Sequence, residues 1–454
     1  MSTFRSRTIQ ALPWITAGWV LVELVSLRLG LLNAFFFDAM HADVQGIDYF
    51  CLPKAFLNLM AGRSAYATFD PPSYGAHLTW YLSHPAMAVW LGSWLSAFEP
   101  MTSYGIYTLL ALAMMAGCAW MLASRSDDAL TRRLIWLLML GAFPTYWMLF
   151  VGNVHAVPVL ALGMILAALF SMTYGRSSET LLFTGLLLSF FSKPFVLLML
   201  PLLLLLKETR RTMARALGIY AVVSLLFEIV PALNPEAIGL KQVAWLAFHP
   251  AFVHEHMDIY ANHYQLNVWM RDNSIHWFNL IAQSGKPIVH VDVYSLPVFL
   301  QVLTGAPVPG WICKLPLLLT LVFSVPVALL RDQRLRMEAA LLLTMAISLT
   351  FFLSYPTAWE YQYASVMPVA AMLLLVAGRG VFYERSRWWL FGLAACIALP
   401  SLYLFTEGHA ISAQIMLIIW VDRVLPVTLL FVLMMVEVAR LLWRERAALS
   451  MKPA

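Results

Sequence analysis

Two carboxylates, Asp43 and Asp48, follow an apolar run ending in LLNAFFF, within the stretch HADVQGIDYF. A carboxylate in that position is either a solvated loop residue or a base held where a polar substrate meets lipid. Lys193, in SFFSKPFVLLMLPLL, has apolar residues on both sides and a proline directly after it. The proline predicts a helix break, and an ammonium there needs an anion, which is a protein carboxylate or a phosphate brought in by substrate. His84, in WYLSHPAMAVW, precedes a proline that opens a helix. It is either a neutral structural residue or a donor to a lipid phosphate. FVGNVHAVP places Gly152, Asn153 and His155 in a turn between two apolar runs.

A second group lies further along. SYPTAWEYQYASVMP sets Trp359, Glu360, Tyr361, Gln362 and Tyr363 at the end of a span. These residues form an interfacial belt, or a surface for sugar in which a ring stacks and Glu360 accepts hydroxyls. HPAFVHEHMDIYANH carries His249, His254, Glu255, His256, Asp258 and His263. That set is either a divalent-metal site, without the HExxH spacing of zinc enzymes, or a polar lid that orders over substrate.

The elements that must position these residues are membrane spans. Of 454 residues, 61% are hydrophobic and 12% charged, with mean hydropathy +0.76, a composition that excludes a water-soluble domain. The net charge of +5 points to sidedness rather than to nucleic acid, because Lys and Arg collect in cytoplasmic loops. Most of the basic residues fall in clusters around Arg5, Arg132, Arg176, Arg210, Arg334, Arg385 and Arg444. Placing every cluster inside predicts an all-α polytopic membrane protein of about twelve spans: 11–37, 103–123, 134–150, 155–172, 180–192, 195–206, 216–233, 312–330, 337–354, 365–377, 388–405 and 425–443. Both termini then lie inside, with no cleaved signal ahead of the first span. Two large outer loops remain, 38–102 and 234–311, and all eleven histidines fall on the outer side. The segment 85–98 would break the parity if it crossed, so it is expected to lie in the outer interface with Trp80, Trp90 and Trp94 at headgroup level. Phe50, Phe56, Leu57, Met60 and Ala61 form an amphipathic stripe at helical spacing, with Asp48 at that helix's start. The cysteines are few, and Cys51 and Cys313 are the pair that could meet on the outer side.

In order, the acid-aromatic pair Asp48-Tyr49, MAGRSAY, WYLSHP, Gly152-Asn153-Val154-His155, Lys193-Pro194, Asp272-Asn273-Ser274 and SYPTAWEYQY resemble the short motifs of the GT-C polyprenyl-phosphate-sugar glycosyltransferases over nearly the whole chain. The branch they are most similar to is the polyprenyl-phosphomannose-dependent, phosphatidylinositol-mannoside type of mannosyltransferase; the lipid A aminoarabinose transferases are more distant. Departures from the motifs fall at Asn153 and at Gln362 or Tyr363 and leave the sugar open.

The resemblance implies a single GT-C helical domain over 1–454 with periplasmic juxtamembrane helices, in a bacterial cytoplasmic membrane, its active site facing the periplasm or cell exterior. It implies inverting transfer from a polyprenyl-phosphate sugar to a hydroxyl of a lipid, glycan or protein acceptor, by a monomer with no metal or other cofactor. Asp48 is then the general base, supported or replaced by Asp43. Lys193 and His84 hold the donor phosphate. Glu360, Asn153, His155, Trp359, Tyr361, Tyr363 and Asn273 bind sugar or acceptor. The alternatives are an arabinofuranosyl or aminoarabinosyl transferase of the same superfamily, or a flippase or transporter of lipid-linked sugars.

Overall fold

The computed structural model describes residues 2–39, 44–60, 65, 74, 81, 83–175, 178–193, 195–232, 295–306, 308–355, 358–377, 386–405 and 417–450. Asp43, Asn273, Trp80 and the His-rich stretch from His249 to His263 lie outside them.

The described chain is an all-α polytopic membrane protein. Eight of its helices are long and apolar enough to cross a bilayer: Ser6–Leu29, Pro100–Ala123, Ala129–Val151, Ala156–Thr173, Trp311–Ala328, Gln333–Ser354, Glu360–Ala377 and Leu417–Glu445. Each coincides with one of the expected spans. Of the other four, three appear as shorter apolar helices, Glu179–Phe191, Val196–Leu205 and Trp389–Ala398, and one as Arg210–Ala232. The first span ends earlier than the sequence predicts. Gly30 turns into the left-handed region (φ 63°), so Leu29 closes the helix and Asn33–Ala39 starts another.

Burial orders the bundle. The apolar windows of Gln333–Ser354 and Glu360–Ala377 are 89% buried within the protein, whereas that of Trp311–Ala328 is 22% buried. The first two are central and the last lies at the rim, where Trp311, Val322 and Leu329 face outward. Helix starts are fixed by side-chain caps: Asp128 accepts from the Thr131 N–H at 3.1 Å and Asp332 from the Leu335 N–H at 2.8 Å.

The central helix Ala156–Thr173 gives the bundle its polarity. At its C-terminal end Arg125 Nε donates to the Ala167 carbonyl at 3.2 Å and to Ser171 Oγ at 3.3 Å, and the Arg334 guanidinium lies 5.8 Å from the Tyr174 ring. Arg336 on the neighbouring helix pairs with Glu208. The N-terminal end of the same helix carries Asn153 and His155. The arginine-rich face and the candidate site therefore occupy opposite ends.

Beside that second end a helical stretch starts at Pro85, passes through a π turn at Ala88–Gly92 and ends at Leu95. Trp90 and Trp94 are exposed on it, as an interfacial helix requires. It crosses the helix Cys51–Met60 closely enough that a Cβ on Gly92 would stand 2.7 Å from the Leu52 carbonyl oxygen. The buried face of Cys51–Met60 is Leu52, Pro53, Ala55 and Asn58. The expected stripe is corrected at Met60, which is exposed. All four cysteines are free thiols, so Cys51 and Cys313 are not bridged.

Candidate functional site

The site is built on the end of one short helix. Phe143–Val151 opens with Pro144 near its N-terminus, buries every residue, and stops at Gly152, which adopts φ 68°. Its last carbonyls have no partners within the helix. The turn that carries Asp48 supplies them: the Gly46 N–H donates to the Phe150 carbonyl at 2.9 Å and the Asp48 N–H to the Val151 carbonyl at 2.8 Å. Asp48 is thus clamped to a helix end and does not cap a helix start. The helix that follows begins at Cys51, whose thiol donates to the Asp48 carbonyl at 2.8 Å. A Cβ on Gly152 would lie 2.5 Å from the Tyr49 Cβ, so only glycine lets the two segments approach.

The next residue along joins the acid to the lysine. Asn153 Nδ2 donates to Asp48 Oδ2 at 2.6 Å, and Asn153 Oδ1 accepts from Lys193 Nζ at 3.2 Å and from the His155 N–H at 2.9 Å. The Tyr107 hydroxyl fixes the same residue from below by donating to its carbonyl at 2.9 Å. Lys193 occupies the break between Glu179–Phe191 and the 3-10 turn Phe195–Met199, and its Nζ stands 5.2 Å from the centroid of the Tyr361 ring. His155 meets that ring edge-on at 5.9 Å. Asp48 and Lys193 are each half-buried.

Burial dominates the titration of all three ionisable groups. It raises the Asp48 carboxyl above its ordinary range, opposed by the Asn153 hydrogen bond and the Lys193 charge. It lowers Lys193 to about 8, opposed mainly by Asp48. It lowers His155 well below its ordinary value, and Lys193 lowers it further.

Of the residues expected from sequence, the structure brings together Asp48, Asn153, Lys193, His155 and Tyr361. Two others have protein partners instead. His84 is fully buried: its Nδ1 accepts from the Ala86 N–H at 3.1 Å, its Nε2 is 3.1 Å from Ser224 Oγ, its ring packs against Phe191, and desolvation lowers its pKa to about 3. It caps a helix as a neutral residue and does not present a charge to phosphate. Glu360 is consumed by Arg423, which donates from Nη2 at 2.7 Å and from Nε at 3.0 and 3.2 Å, with both side chains fully buried. Its oxygens face a guanidinium rather than a sugar. Tyr363 is buried against Phe352 at 4.4 Å, and Trp359, half-buried, donates its backbone N–H to Gln362 Oε1 at 2.9 Å.

Sequence reasoning missed Arg423 and Tyr107. Arg423 had a signal, a lone arginine in the apolar run MLIIWVDRVLPVTLL, which requires a buried partner. Among the described residues no three His, Cys, Asp or Glu side chains gather to hold a metal. The cluster can accept a proton at Asp48 and neutralise an anion at Lys193, with both groups held by one amide. The chain matches no protein-family model, no curated protein and no solved structure.

Proposed function

We propose that this protein is an inverting membrane glycosyltransferase that moves a hexosyl or pentosyl unit from a polyprenyl-phosphate donor to the hydroxyl of a lipid, glycan or protein acceptor. The reaction takes place at the outer face of a bacterial cytoplasmic membrane, at the end of the bundle away from Arg125, Arg334 and Arg336. The observation that carries the reading is the bridge from Asp48 through Asn153 to Lys193.

Ionised Asp48 takes the acceptor's proton as the acceptor oxygen bonds to the anomeric carbon. The bond from that carbon to the phosphate oxygen breaks on the opposite face, its electron pair leaving with the phosphate, and the Lys193 ammonium stabilises the charge that develops there. Asn153 is a positioning residue, since it orients both groups. Tyr361 supplies aromatic surface beside Lys193 for a sugar ring, with Trp359 two residues before it. The short motifs around Asp48, Asn153 and Lys193 support the donor class. The confinement of the acid and the ammonium to one end of the bundle supports chemistry at a surface over passage through the membrane.

The test is radiolabelled transfer into membranes from a panel of polyprenyl-phosphate sugars, comparing wild type with Asp48→Asn. Loss of a general base lowers the rate by about 10²–10⁴-fold. Full transfer by the variant would remove Asp48 from that role. Movement of lipid-linked sugar across vesicles with no donor turned over would replace the enzyme with a transporter.

A further inference from the structure

His155 is buried to 5% exposure, and neither of its ring nitrogens has a hydrogen-bond partner among the described residues. Native proteins rarely leave a buried imidazole in that state, because an unmade hydrogen bond forfeits the cost of desolvation. The surroundings differ from those of His84, whose two ring nitrogens both have partners. The backbone of His155 is anchored by Asn153 Oδ1, its ring packs against Tyr361, and the polar backbone of Gln362 lies beside the ring without meeting hydrogen-bond geometry. The group that shares Tyr361 with it is Lys193, whose Nζ spends one contact on Asn153. An ammonium has three donors, so this Nζ keeps two for a ligand. An ammonium with donors to spare and an unused imidazole N–H on one aromatic ring are complementary to an anion with several acceptor oxygens.

We propose that His155 and Lys193 together form a phosphate cradle, in which neutral His155 donates one ring N–H to a phosphate oxygen and Lys193 supplies the charge. This rests on the glycosyltransferase reading and deepens it. The phosphate contact that the sequence assigns to His84 passes to His155, and the ligand class is an isoprenyl phosphate monoester or diester. A neutral imidazole suits the task because its donor strength does not depend on holding a second positive charge beside Lys193.

The experiment uses the full chain in lipid nanodiscs and measures binding of farnesyl phosphate, farnesol and inorganic phosphate to wild type, His155→Ala, His155→Gln and Lys193→Met. Wild type is expected to bind farnesyl phosphate well above farnesol. His155→Ala weakens that binding about tenfold or more, the size of one hydrogen bond to a charged group. His155→Gln, which keeps an N–H donor, recovers part of it, and farnesol binding does not change. Equal binding of farnesyl phosphate by His155→Ala and wild type overturns the proposal, as does a wild type that does not distinguish farnesyl phosphate from farnesol. Inorganic phosphate that binds as tightly as farnesyl phosphate overturns the lipid-linked source. Should the alanine variant fail to fold, the imidazole ¹⁵N resonances of wild type decide: they shift with farnesyl phosphate if His155 is a ligand and stay unmoved if it holds only a buried water. A cradle that depends on His155 in a protein that transfers no sugar would sink the transferase reading and leave the phosphate site standing.

Discussion

Asn153 donates to the Asp48 carboxylate at 2.6 Å across 105 residues of sequence, and its own oxygen is held by Lys193. One amide therefore fixes the separation of a base and a cation, so that moving either moves both. Removing it with Asn153→Ala takes a donor from the ionised form of Asp48, whose pKa must then rise further. The acid limb of the pH–rate profile is expected to move to higher pH, with kcat reduced and the protein still folded. An unchanged acid limb would mean that Asn153 supports the turn only.

The wild-type profile should be a bell. Transfer requires Asp48 ionised and Lys193 protonated. Burial sets the acid limb above the ordinary carboxylate range and the basic limb near 8. The two groups interact, so the limbs belong to the pair. Lys193→Arg keeps its charge above pH 8, and the basic limb is expected to recede even though the rate falls because the guanidinium fork differs in geometry. Rate profiles of the two proteins from pH 5 to 10 check this.

The closeness of the two backbones at the site sets another expectation. Gly152→Ala forces a Cβ to within 2.5 Å of the Tyr49 Cβ and 3.1 Å of Tyr104 Cε2. It also places an L residue at φ 68°, at a cost of roughly 1–2 kcal/mol before the clash is counted. The turn that bears Asp48 must shift, so transfer and the melting temperature fall together. In contrast, His84→Gln, which changes a helix cap whose ring nitrogens are engaged by Ala86 and Ser224, should leave the rate of transfer within a few-fold of wild type.

How much of this was legible in the sequence depends on whether a residue's partner was local. Asp48, Asn153 and Lys193 stood out because each interrupts apolar sequence at a turn or a helix break, where a polar side chain needs a reason. The long spans were legible for the same reason in reverse. Gly30 ended the first helix inside LRLGLLNAFFF, where apolar residues resume at once beyond the turn, so the hydrophobic run overstated its length. His84 and His155 look alike in sequence, each beside a turn. What separates them is tertiary: Ser224 stands within hydrogen-bond distance of one ring, and no described residue meets hydrogen-bond geometry at the nitrogens of the other. The partner of Glu360 was not legible, because it is 63 residues away and pairing over such a distance leaves no periodic trace.

That buried pair supplies the sharpest stability expectation. Arg423 uses its remaining donors on the carbonyls of Cys396 at 3.1 Å and Leu399 at 2.7 Å, so it ties Trp389–Ala398 to Glu360 and to its own helix. Glu360→Gln leaves a guanidinium without its counter-charge in a fully buried setting, and Arg423→Met leaves the carboxylate likewise. Breaking such a pair from one side costs about 3–5 kcal/mol, whereas replacing both partners with apolar residues of similar volume is near neutral. Each single variant is therefore expected to melt well below wild type in detergent, and Glu360→Met combined with Arg423→Met to recover most of the loss. The same double variant separates structure from chemistry. If Glu360 contacts sugar, the recovered protein stays inactive; if it serves only to hold Arg423, transfer returns with stability, and the second outcome is the one expected, because no oxygen of Glu360 faces away from the guanidinium into open space.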